Sequence, residues 1–170
     1  ETITYYNNSP ETLTYLWLQL DQNILKSKGI KDKTSTNSVM DSVPTRHFAG
    51  VVGGFDYEGG YTIKSVKDAS TGKELVKLIN FTMMRVELPS PLKTGDKFSF
   101  QIDWSYTEYD RMKYDERGWY EYFPEDGNYL YTLAQWYPRM CVFDDYEGWQ
   151  NKQFLGDGEF TLTFGNFKVR

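Results

Sequence analysis

A chain of 170 residues has the length of one domain, at roughly 100–200 residues per domain. Its 30 aromatic residues (14 Tyr, 11 Phe, 5 Trp) and 30 β-branched residues (9 Val, 6 Ile, 15 Thr) stand against 3 alanines, which excludes a helical bundle, because such side chains fit pleated strands and alanine is the best helix former. A net charge of −5, from 19 Lys and Arg against 24 Asp and Glu, disfavours a nucleic-acid partner, and no apolar run approaches the 18 residues or more of a membrane span.

In chain order, Thr2–Tyr6 alternates as a strand and is closed by the turn residues Asn7-Asn8-Ser9-Pro10. Thr12–Leu20 follows, with Leu16, Leu18 and Leu20 on one face and Tyr15, Trp17 and Gln19 on the other; two largely apolar faces predict a central strand covered on both sides. Residues 21–44 carry four lysines among Ser, Thr, Asn and Asp and are read as a short helix or turn, then a variable, mobile loop ending at Pro44. His47–Val52 and Tyr61–Val66 are predicted strands around a glycine-rich, flexible bend that lacks the Gly-Lys-Ser/Thr of a phosphate loop.

Leu75–Asn80 and Met83–Leu88 are further predicted strands, the second stopped by Pro89 and Pro91. The clearest alternation is Phe98, Phe100, Ile102, Trp104 and Tyr106 against Ser99, Gln101, Asp103 and Ser105, a strand with one face in a core and one in water. Tyr129–Ala134 and Phe160–Phe164 read similarly, the latter pairing with Phe167–Val169. Many short strands separated by turn signals predict an all-β fold, an antiparallel sandwich or saddle-shaped sheet over residues 1–170. The chain stops inside a strand pattern, so a fragment of a larger β domain is expected.

Chemistry is limited by residue supply. His47 is the only histidine, so a catalytic triad would have to be built on it, and an H-E-x-x-H zinc site, which needs two, cannot exist in this chain. Cys141 is the only cysteine, which excludes an internal disulfide. Glu125-Asp126 and Asp144-Asp145 are neighbours that face opposite ways on a strand; a glycosidase-like pair would have to join different strands, such as Glu121 with Asp144. Asp110, Asp115, Glu116 and the run Glu125-Asp126-Gly127-Asn128 are oxygen-rich but fit no twelve-residue calcium loop. His47 with Cys141 would supply only two ligands to a soft metal. The sequons at Asn7 and Asn80 are short enough to arise by chance.

Eleven aromatics crowd residues 119–149, interleaved with Glu121, Gln135, Arg139, Asp144 and Asp145. Tyr and Trp join a large apolar face to one polar atom, which suits ligand platforms and interfaces as well as cores. A free-standing carbohydrate- or protein-binding β-sandwich module is one reading of that stretch.

Within it, Glu125-Asp126-Gly127-Asn128-Tyr129, Leu133-Ala134-Gln135-Trp136-Tyr137-Pro138-Arg139-Met140, Phe143-Asp144-Asp145, Gly148-Trp149, Gly158-Glu159-Phe160 and Phe164-Gly165-Asn166-Phe167 resemble the amino-terminal domain of M1-family zinc aminopeptidases, in the branch common in Bacteroidetes-type bacteria. The opening Glu1 to Pro10, Leu13 to Leu18 and Pro89 to Trp104 are similar to early strands of that domain, so the likeness spans nearly everything but residues 21–44. The resemblance implies a saddle-shaped, non-catalytic β domain packed on a thermolysin-like catalytic domain of the same polypeptide, in a periplasmic or extracellular protein. It implies no cofactor in this chain, with zinc in the catalytic domain outside it. It also implies one substrate-binding residue, Gln135, on a loop that reaches the free amino end of a peptide. Typical members carry a second polar residue two places on, where this chain has Tyr137, and end the following acidic run in a proline that is absent here.

Overall fold

The computed structural model describes residues 1–27, 29–34, 42, 45, 58–114, 119–156 and 163–169, with only the backbone described at 31, 32 and 114. The fold is all-β. Among the described residues the strands are β1 (Thr2–Tyr6), β2 (Leu13–Gln19), β3 (Thr62–Asp68), β4 (Lys77–Asn80), β5 (Met83–Leu92), β6 (Lys97–Ser105), β7 (Trp119–Phe123), β8 (Asn128–Thr132), β9 (Arg139–Met140), β10 (Phe143–Asp144) and β11 (Gly148–Trp149). A 3-10 turn spans Asp21–Leu25, and short helices among the described residues include α1 (Ile30–Thr34) and α2 (Arg111–Tyr114).

Two antiparallel sheets form the body, one ordered β1-β6-β3 and the other β4-β5-β2-β9. β6 lies in the middle of the first, with Ile3 opposite Phe100 and Val66 opposite Ile102. Its alternation therefore works as the sequence predicts. Phe100 and Ile102 are buried while Gln101 and Asp103 are exposed. β2 is central in the second sheet, between β5 and β9; Leu16 and Leu18 lie in the core, while on its other face Tyr15 and Trp17 are half-buried and Gln19 is buried. Leu16, Leu18 and Leu20 are fully buried and meet Val66, Phe100 and Ile102 of the opposing sheet in one apolar cluster with Met84, Val86 and Met140. Burying each such side chain contributes roughly 1.5–3 kcal/mol, so this shared cluster is the main force holding the two layers together.

Asn7 closes the first strand from inside. Its Nδ2 donates to the carbonyls of Glu11 (2.7 Å) and Leu92 (2.9 Å), and its Oδ1 accepts from the Ser9 N–H and hydroxyl. The first sequon is thus consumed by a buried turn, whereas Asn80 of the second is exposed.

Four expectations change. β5 runs through Pro89 and Pro91 to Leu92, because β4 pairs only as far as Val86, and beyond it both prolines lie exposed with no ladder hydrogen bond to donate on that side. β8 is not half-buried: all five of its residues are exposed, since it is the outer strand of a two-stranded ribbon with β7. Residues 163–169 form no strand, although Phe167–Val169 is predicted as one; Phe164, Phe167 and Val169 are exposed there. The glycine bend, at its described end, is packed instead of loose, as shown below. The predicted strand His47–Val52, most of the 35–44 loop and the start of the Phe160–Phe164 strand lie outside the described residues.

Candidate functional site

The segment that carries the resemblance joins the exposed β7–β8 ribbon to the body. From β8 the chain passes through Leu133, Ala134 and Gln135, then Trp136, Tyr137 and Pro138, and is taken into the second sheet by β9, where Leu18 lies opposite Met140 and Gln19 opposite Arg139. The Cys141 N–H donates to the Trp17 carbonyl at 2.9 Å and extends that attachment.

Gln135 is exposed, and its backbone is left-handed, with φ of 49°. For a residue with a Cβ this conformation costs about 1–2 kcal/mol. Two side chains hold the loop there: Gln22 Nε2 donates to the Ala134 carbonyl at 2.8 Å, and the Tyr61 hydroxyl donates to the Gln135 carbonyl at 2.7 Å. At a net ~0.5–1.5 kcal/mol each, two such bonds are of the size needed to offset the backbone strain.

Tyr61 is itself rigidly seated. It is 2% exposed, meets Trp104 and Tyr106 edge-on at 5.6 and 5.8 Å, and its N–H donates to Asn23 Oδ1 at 2.8 Å. Burial, reinforced by the nearby Asp21 charge, pushes the Tyr61 phenol well above its ordinary pKa, so it remains a hydrogen-bond donor. Gly60, with φ of +87°, lets the chain pass tightly under the 3-10 turn: a Cβ there would lie 2.9 Å from Asn23 Oδ1.

Behind the loop, Arg139 and Asp21 form a buried ion pair, Nε to Oδ2 at 2.7 Å. Burial nonetheless raises the Asp21 carboxyl above its usual range, outweighing the Arg139 hydrogen bond and charge that lower it. The neighbouring Cys141 thiol is pushed up to about 12, chiefly by burial, and is therefore protonated and unreactive rather than a nucleophile.

Trp136 packs against Trp104 (6.0 Å) and Tyr137 (5.1 Å) and borders a groove of about 800 Å³. β1, Trp104, Tyr137, Arg139 and residues 163–169 line the rest of it, and Tyr137 meets Phe167 at 6.0 Å.

Among the described residues the other candidate groups are not brought together into a site. Glu121 pairs with Arg111 at 2.8 Å. Asp144 caps the β10–β11 turn, accepting from the N–H groups of Glu147 (2.7 Å) and Tyr146 (3.0 Å) and from the Gln150 amide (2.7 Å). Asp110 accepts the Met112 N–H at the start of α2. His47, Asp115 and Glu116 lie outside the described residues. Among the described residues no group of three or more His, Cys, Asp or Glu could hold a metal ion.

The eleven aromatics of 119–149 divide sharply. Trp119 is buried, Tyr120, Trp136, Tyr137, Phe143 and Trp149 are half-buried, and Tyr122, Phe123, Tyr129, Tyr131 and Tyr146 are exposed. In the ribbon Tyr120 stands opposite Tyr131 and Tyr122 opposite Tyr129, which puts four tyrosines on one face. Leu130 and Phe123, on the other face, are exposed as well. Sequence reasoning missed Tyr61 and Gln22; the Gly59-Gly60 pair before Tyr61 was the available signal of close packing.

No protein-family model, curated protein or solved structure gives a significant match to this chain.

Proposed function

We propose that residues 1–170 are the non-catalytic amino-terminal domain of a secreted or periplasmic M1-family zinc aminopeptidase, which packs on the catalytic domain of the same polypeptide and presents Gln135 to the amino end of a peptide. The observation that carries this reading is the clamped, left-handed Gln135: an exposed amide on a strained loop fixed to a rigid body is what a substrate-orienting group requires. The ribbon supports it too. A two-stranded hairpin whose outer strand is exposed along its whole length is marginal alone and exposes apolar surface suited to a partner domain. In this reading the Gln135 amide oxygen accepts from the peptide ammonium group, and the zinc, held outside this chain, polarises the scissile carbonyl.

The test is the full-length polypeptide. It should carry an H-E-x-x-H downstream of Arg170, bind zinc and release amino-terminal residues from peptides. A polypeptide without that motif would overturn the proposal. A second reading, a carbohydrate-binding module, is favoured by the four-tyrosine face alone. It predicts retardation of the chain in a polysaccharide affinity gel, abolished by Tyr129→Ala; unretarded migration would remove it.

A further inference from the structure

We propose that Tyr61 is a positioning residue for the amino-end site, its hydroxyl setting the direction in which Gln135 is presented. The inference rests on the reading of Gln135 given above, and it arises from two facts. The Gln135 backbone is left-handed, a conformation that a free residue of this kind leaves readily. The one hydrogen bond described to its own carbonyl comes from Tyr61, 74 residues away in sequence and fixed by Trp104, Tyr106 and Asn23.

If that bond is lost, Gln135 can relax to negative φ. Gln22 still holds the preceding peptide plane through the Ala134 carbonyl, so the plane that follows the Gln135 Cα turns against it, and the amide is carried off its line. The Tyr61 ring belongs to the core whether or not the hydroxyl is present, so the two roles separate cleanly in Tyr61→Phe.

The test has two arms. In the 170-residue chain, NMR of Gln135 (its HN–Hα coupling and Cβ shift) reads the sign of φ. In the full-length peptidase, kcat/KM is compared for a free-amino peptide and its N-acetylated form. Tyr61→Phe is expected to lose the left-handed signature at Gln135 and to lower the free-amino preference about five- to tenfold, the size of one lost hydrogen bond. It should cause no further loss on a Gln135→Ala background, a non-additivity that a merely structural role would not give. A Tyr61→Phe protein with Gln135 still left-handed and the preference intact, while Gln135→Ala loses it, would overturn the positioning role. A Gln135→Ala protein with the preference intact would overturn the substrate role instead, and Tyr61's with it; the NMR arm distinguishes the two failures.

Discussion

Arg139 Nε lies 2.7 Å from Asp21 Oδ2, and the two side chains are 9% and 1% exposed. This pair ties the strand that follows the Gln135 loop to the 3-10 turn that carries Gln22, so both ends of the clamp share one anchor. Breaking it from one side leaves a buried charge unpaired, which costs about 3–5 kcal/mol. Arg139→Met is expected to lower the urea-unfolding free energy by that amount, and Asp21→Leu with Arg139→Met together by less than Arg139→Met alone. Equal losses in the single and double variants would show that the pair is not the anchor.

Gly60 and Gly72 both have positive φ, +87° and +70°, but only Gly60 has a neighbour where a Cβ would go. Gly72→Ala should cost only the backbone preference, about 1 kcal/mol. Gly60→Ala should cost at least ~1 kcal/mol more, because Asn23 must shift, and with it the bond to the Tyr61 N–H. Thermal or urea unfolding of the two variants measures the difference; equal destabilisation would contradict the close packing of this bend.

Acid should loosen two turns. Hydrogen bonds from the Glu147 N–H and the Gln150 amide hold the Asp144 carboxyl below its usual range, and the Ser70 hydroxyl and N–H do the same for Asp68. A carboxyl whose folded pKa is lowered stabilises the fold above its unfolded value, near pH 4, and that stability is lost as pH falls through the folded value. Unfolding free energy is therefore expected to fall below about pH 4 with a slope that Asp144→Ala and Asp68→Ala each reduce. An unchanged slope in both variants would refute the assignment.

The exposed ribbon makes a solubility prediction. Tyr129 and Tyr131 are 57% and 58% exposed, stack on each other along β8 and make cross-strand pairs each worth roughly 0.2–1 kcal/mol. Tyr129→Ser with Tyr131→Ser should lower binding of an apolar fluorescent dye to the isolated chain while costing no more than ~2 kcal/mol of stability. Undiminished dye binding would show that the sticky surface lies elsewhere.

The particular residues explain what could be read in advance. Phe98 to Tyr106 announce β6 because a strand in water on one side and apolar on the other must alternate, and Leu16, Leu18 and Leu20 announce the core face of β2 because they recur at every second residue. Tyr129 and Tyr131 give the same alternating signal, but among the described residues nothing covers β8, and periodicity records only which residues share a face. Pro89 and Pro91 have the sequence signature of stops; whether a neighbouring strand reaches that far is set by pairing, not by the prolines. The candidate site is half legible. Gln135 was marked by its resemblance, whereas its left-handed backbone and its bond to Tyr61 follow from a contact across 74 residues that no local pattern encodes.

The most direct measurement is the ratio of kcat/KM for a free-amino peptide to that for its acetylated form, in the full-length protein and its Gln135→Ala variant. The account predicts that the variant loses about tenfold or more of that preference, the value of a hydrogen bond to a charged amine, about 1.5–3 kcal/mol. An undiminished ratio in a fully folded, zinc-loaded variant would contradict it.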